Sequence, residues 1–207
     1  MHRFLLERHS PIYFKQVPQR GLQVFVSSEF LEVDIGYGAY AYAAAFKKDW
    51  KVLFDKSGTV DEKMRLSWQK HESASNDDEY GKLRAECADT VWHNLMHAAT
   101  AIKRGQLLRA MSELELSRGI YIGLLGCRCA LDIKRGRDLD KLPQKEKDEL
   151  KRTLVFALSP DALWESLFAL ADAIYTELER GGEQAHISVN RAQVTEYISA
   201  CRSLSRG

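Results

Sequence analysis

Residues 83–133 read LRAECADTVWHNLMHAATAIKRGQLLRAMSELELSRGIYIGLLGCRCALDI. Leu83, Cys87, Val91, Leu95, Ala98 and Ile102 recur in steps of three and four, and so do Leu107, Met111, Leu114, Tyr121 and Leu125 after the break at Arg104-Gly105. That period puts each set on one face of a helix. The stretch therefore predicts two long amphipathic helices joined by a tight turn, the centre of a helical bundle. Gly119, Gly123 and Gly126 lie on one face of the second helix. Glycine costs about 1 kcal/mol against alanine inside a helix, so the face predicts a close approach by a neighbouring backbone.

Downstream of this pair, residues 134–143 form a charged connector and residues 144–158 predict a weaker, solvated helix. Ser159-Pro160-Asp161 is a start signal, with serine at the cap and proline at the first helical position. Leu163, Leu167, Leu170, Ile174 and Leu178 follow it, and Gly181-Gly182 predicts the end. A last helix from about Arg191 presents Val194, Ile198, Cys201 and Leu204.

Upstream, the pattern changes. Residues 12–17, 22–27 and 30–37 are short runs rich in β-branched and aromatic residues, separated by turn signals. In the third, Leu31, Val33 and Ile35 alternate with Glu32 and Asp34, which predicts a half-buried strand presenting two carboxylates on one face. Residues 50–54 are a possible fourth strand, and residues 37–46 read equally as helix or loop. Thr59 and Glu62 have capping-box spacing and open a helix to about His71. The expected fold is thus α+β, predominantly α: a small antiparallel or mixed β portion (1–58) packed on a helical bundle (59–207). A sheet of three or four short strands is a poor domain alone. It must pack on the helices, pair with another chain or be part of a larger sheet.

The totals are those of an ordinary soluble protein: 207 residues, 45% hydrophobic, 29% charged, net charge +1. Near-balance of charge argues against a dedicated nucleic-acid binder. The longest nearly apolar run, residues 119–127, stops at Arg128 and is too short to span a bilayer. Cys87, Cys127, Cys129 and Cys201 match neither a zinc spacing nor a disulfide framework. The expected setting is cytoplasmic, without nucleic-acid or membrane partners.

Two constellations are candidates for chemistry. His93 and His97 stand one helical turn apart, with Glu86 and Asp89 on nearly the same face and Trp92 alongside. Two histidines at that spacing can share a metal, contact a substrate, or form part of a polar stripe. Arg118 interrupts an apolar stripe, so it needs a carboxylate or phosphate partner. Lys103 and Arg104 suit a helix C-terminus, where cations favour the dipole. The second constellation is Glu32 with Asp34, since strand carboxylates commonly hold Mg²⁺ with substrate phosphates. No nucleophile elbow, phosphate loop or dinucleotide fingerprint is present.

FLEVDIGYG (30–38), WKVLFDKSG (50–58), the helix pair from Val91 to Gly119 and SPDALWESLFALADAIYTEL (159–178) together resemble the second half of aminoglycoside-type nucleotidyltransferases, in particular streptomycin 6-adenylyltransferases, within the polymerase-β-like superfamily. The resemblance covers most of residues 25–180. It implies that Asp34 is the third of three metal-binding acids and that the helical domain closes a cleft for Mg²⁺-bound nucleotide and a small polar acceptor. It further implies transfer of a nucleoside monophosphate from ATP or another nucleoside triphosphate to a hydroxyl. Glu32, Glu86 or His93 would take the hydroxyl proton, and Trp92, His97, Asp89 and Arg118 would contact substrate. The family's Gly-Ser turn and its two following aspartates do not occur in residues 1–29. The chain is then a fragment, a remnant that binds without catalysis, or a protein completed by another chain. The second of these is a helical interaction module, a possible homodimer.

Overall fold

The computed structural model describes residues 11–45, 49–73, 76–180 and 187–205. It is α+β and mostly helical, and it divides into two compact units, Met1–Ala74 and Ser75–Gly207.

The first unit holds an antiparallel sheet in the order β1 (Tyr13–Val17), β2 (Leu22–Val26), β3 (Glu32–Gly36). The β1–β2 turn closes through Gly21, whose φ is +56°. A side chain there would also collide with the Tyr37 carbonyl, so backbone and space both require glycine. The β2–β3 turn is held by Ser27. Its Oγ accepts from the amides of Glu29 (3.2 Å) and Leu31 (3.1 Å), and its carbonyl accepts from Phe30 N–H. The register pairs Val33 with Phe25 and Ile35 with Gln23 on one face, Glu32 with Val26 and Asp34 with Val24 on the other. Phe25 is the buried residue of the first face, while Leu31 and Val33 stay exposed. The alternation was legible; the depth of burial was not.

Residues 50–54 are irregular, not a fourth strand, and Leu53 and Phe54 are exposed. Residues 37–45 are irregular around one 3-10 turn, Tyr40–Tyr42; Phe46 lies outside the described residues. Helix α1 spans Val60–Ser73, but the expected Thr59–Glu62 box does not form. Asp55 Oδ2 accepts from Val60 N–H at 2.7 Å, and Thr59 Oγ1 instead meets Tyr40 Oη (2.9 Å) and Ser57 Oγ (2.8 Å). With its hydroxyl engaged there, Thr59 does not cap, and Asp55 supplies a charged acceptor for the first amide of the helix. The Ser57 hydroxyl donates to Asp55 Oδ1 as well. That bond, with the backbone amides of Val60, Ser57 and Gly58, outweighs desolvation and holds the carboxyl below its usual range.

The second unit is built on the hairpin α2 (Asn76–Lys103) and α3 (Leu107–Arg128). Gly105, at φ +69°, makes the turn between them. Helices α4 (Gln144–Arg152), α5 (Pro160–Glu179) and α6 (Arg191–Ser203) complete it, with α5 packed on α2, α3, α4 and α6. Ser159 caps α5 by accepting from Ala162 N–H. Asn190 and Gln193 form a reciprocal capping box on α6. The predicted faces supply the core: Val91, Leu95, Ala98, Leu114, Leu125, Leu163, Leu167, Leu170, Ile174, Val194 and Ile198 are fully enclosed.

Helix α4 stops at Arg152, so residues 154–158 form a largely exposed connection, with Val155 packed against the core, rather than the end of a helix. Met111 and Leu204 face solvent. The expected end at Gly181-Gly182 lies outside the described residues. The glycine face of α3 is not a site of close backbone approach. A Cβ on Gly119 would meet nothing, and one on Gly123 would meet only Leu83 Cδ2 at 3.7 Å. Only Gly126 is crowded, by the Ile133 side chain.

Candidate functional site

In the first unit, β3 presents Glu32 and Asp34 side by side. Alternate residues of a strand stand about 7 Å apart on one face. The register adds Val24 and Val26 of β2, and Lys15 and Tyr13 of β1, to that face. Both carboxylates are exposed. Among the described residues neither forms a hydrogen bond or ion pair, and β3 pairs on one side only. The two acids are therefore available to a cation or a proton donor.

In the second unit, the α2 residues run along one stripe. Glu86, Asp89 and His93 are exposed; Trp92 and His97 are half-buried. The Trp92 indole donates to the Asp89 carbonyl at 2.7 Å, and Asp89 Oδ1 accepts from Ser188 Oγ at 3.0 Å. These bonds tie the start of the stripe to the segment before α6. The His93 and His97 rings are 4.1 Å apart at their centroids, and Trp92 stands edge-on to His93.

Arg118 is 3% exposed. Its guanidinium donates to the Thr153 carbonyl, to Thr153 Oγ1 (3.2 Å), to Ser166 Oγ (3.3 Å) and to Glu115. The carboxylate partner expected from the sequence is Glu115, one turn earlier. With its donors so occupied, Arg118 joins α3 to the end of α4 and to α5 instead of facing a cleft.

A second ionic cluster had no counterpart in the sequence reading. Glu177, 2% exposed, accepts from Tyr80 Oη (2.7 Å), Arg128 Nε (2.6 Å) and Arg180 Nε (3.1 Å). Arg128 Nη2 also donates to Glu146 at 3.1 Å. Burial pushes the Tyr80 hydroxyl far up, and its bond to Glu177 adds to the effect. Burial also pushes the Glu146 carboxyl up, but Arg128, the local amide and Arg180 outweigh it and leave it below the usual range. The only signals in the sequence were an arginine ending an apolar run and a glutamate between Ile174 and Leu178. Buried Cys87 is inert by the same logic: desolvation pushes its thiol up to about 12.

Among the described residues no three His, Cys, Asp or Glu side chains stand together as a metal-binding group. Asp34 and Glu32 therefore do not complete, by themselves, the three-carboxylate Mg²⁺ site that the resemblance implies. No helix in the described residues is long and apolar enough to cross a membrane. What the fold and site define is a two-unit α+β protein with an unengaged carboxylate pair on a small sheet and a helical bundle held by buried ion pairs. Compared with models of known protein families and with curated proteins, the chain matches none.

Proposed function

We propose that the chain is a nucleotidyltransferase-like protein. With a complete site it would transfer a nucleoside monophosphate from a Mg²⁺-bound nucleotide, such as ATP, to a hydroxyl on a small polar, aminoglycoside-like acceptor. One observation carries the reading: Asp34 and Glu32 stand exposed and unengaged on β3, the strand that the resemblance aligns with the family's third acid. The outer edge of β3 has no partner among the described residues, which leaves room for a strand carrying further acids. Asp34 would be a ligand and Glu32 the neighbouring proton acceptor, since a base must lie within hydrogen-bond reach of the hydroxyl. Cysteines without a disulfide fit a reducing, cytoplasmic setting.

The test is label transfer from ATP to a panel of aminoglycosides in the presence of Mg²⁺. Where the site is complete, the protein modifies at least one acceptor, and Asp34→Asn abolishes the transfer. Undiminished transfer by that variant removes Asp34 from the mechanism.

A second reading, a non-catalytic interaction module, is favoured by a different observation. Trp92, Asp89 and Arg118 are all engaged within the bundle. Light scattering that finds a stable homodimer, with no calorimetric binding of Mg-ATP, would select it over the first.

A further inference from the structure

The chemistry of α2 points to a ligand different from the one expected at β3. His93 and His97 lie one turn apart on the same helix face, where side chains at this spacing meet. Their ring centroids are 4.1 Å apart, with planes inclined by 49°. Neither imidazole donates to or accepts from another group among the described residues. A structural histidine is ordinarily fixed by a hydrogen bond to a carbonyl or carboxylate. Here neither ring has such an anchor among the described residues, and the two rings lie against each other. The neighbouring Trp92 ring, edge-on to His93 at 5.5 Å, limits the directions in which His93 can swing.

We propose that His93 and His97 form a two-imidazole chelate for a borderline divalent transition cation, of which Zn²⁺ and Ni²⁺ are the representatives to test. Nitrogen donors select such ions, whereas Mg²⁺ and Ca²⁺ require oxygen. The pair is thus chemically orthogonal to Asp34 and does not depend on the nucleotidyltransferase reading. Asp89 belongs to the same four-residue progression, but it lies about 12 Å along the axis from His97, so all three cannot hold one ion. In keeping with this, no third ligand joins the pair among the described residues. Two protein nitrogens leave the remaining coordination positions to water or to an external donor. The site is therefore open, unlike a closed structural zinc site. Binding across one helical turn also favours the folded helix, because the unfolded chain does not hold the two rings together.

The experiment is calorimetric titration of the purified protein with ZnCl₂ and with NiCl₂, with thermal unfolding followed in parallel. The variants are His93→Ala, His97→Gln and the double variant. His93 is exposed, so its loss leaves the core intact; His97→Gln keeps a side chain of similar reach at the half-buried position. The expected result is one site that either single substitution weakens about tenfold or more, because the second ligand acts at high effective concentration. The double variant should lose less than the sum of the two single losses, since the chelate is already broken at the first change. Zn²⁺ should raise the unfolding temperature of the wild type only, and Mg²⁺ should not. Single variants that bind Zn²⁺ as well as the wild type would overturn the proposal. So would losses that simply add in the double variant, the signature of two independent surface imidazoles.

Discussion

Arg128→Met removes the cation that lies between two enclosed carboxylates. Arg128 is 24% exposed, and its partners are more deeply placed, Glu146 at 8% and Glu177 at 2%. The methionine fills most of the volume, so the change reports on charge more than on packing. Glu177 keeps Tyr80 Oη and Arg180 Nε, which limits its loss. Glu146 loses its side-chain partner and keeps the local amide at the start of α4 and the more distant charge of Arg180. Two charge-assisted hydrogen bonds disappear and two like charges are left facing each other. Breaking a buried pair in this way costs about 3–5 kcal/mol. For a unit of this length that is a fall in Tm of roughly 10–15 °C, read by far-UV circular dichroism at neutral pH.

The pH dependence gives a second reading of the same contact. Glu146 is held below its usual range. Its stabilisation is therefore present above the unfolded-state pKa and is lost as pH falls through the lower folded-state value. The gap between wild type and Arg128→Met should narrow across that acidic window. A Tm loss under about 3 °C at neutral pH, or a gap that widens in acid, would show that Arg128 does not hold Glu146 and Glu177 as a buried ion pair.

Three further outcomes follow from particular contacts. Gly119→Ala and Gly123→Ala should each stabilise the bundle by up to about 1 kcal/mol, whereas Gly126→Ala should cost about 1–3 kcal/mol, because its methyl would press on Ile133; chemical denaturation separates the two signs. Arg118→Ala should cost about 2–4 kcal/mol by leaving a cavity, and Arg118→Met much less. In the methionine variant the Thr153 carbonyl still accepts from Ser166, and Glu115 returns to water. Asp55→Ala should loosen the start of α1, and the difference from wild type should vanish as pH falls through the depressed folded-state pKa of Asp55; helical content followed across an acid titration checks this.

The helices of the second unit were legible because their core is periodic. Leu95, Leu114, Leu167 and Ile198 are enclosed where the three-four spacing puts them. Ser159-Pro160 was readable because capping is a local interaction. What escaped was non-local. Tyr40 reaches the Thr59 hydroxyl from nineteen residues away, and with Ser57 it takes the hydroxyl that the capping box needed while Asp55 caps the helix. Glu177 meets Tyr80 from far away in the chain, so their pairing has no spacing to detect. Residues 50–54 have strand composition but end without a partner strand, since β-propensity describes a surface to be packed more than a backbone preference. The glycine face misled because glycine composition signals close approach only when something arrives there, and at Gly119 nothing does. At the candidate site, alternation identified Glu32 and Asp34 correctly as one exposed face. For Arg118 the need for a partner was readable, but not that Thr153, Ser166 and Glu115 would all supply it.

The nucleotidyltransferase-like reading requires Asp34 to be available to a metal-bound nucleotide. Calorimetric titration of Mg-ATP into the wild-type protein and into Asp34→Asn tests it most directly. Binding by the wild type should need Mg²⁺ and be weakened about tenfold or more by the substitution, the loss of one charged ligand. Wild-type protein that does not bind Mg-ATP, or a variant that binds it equally well, would contradict that reading.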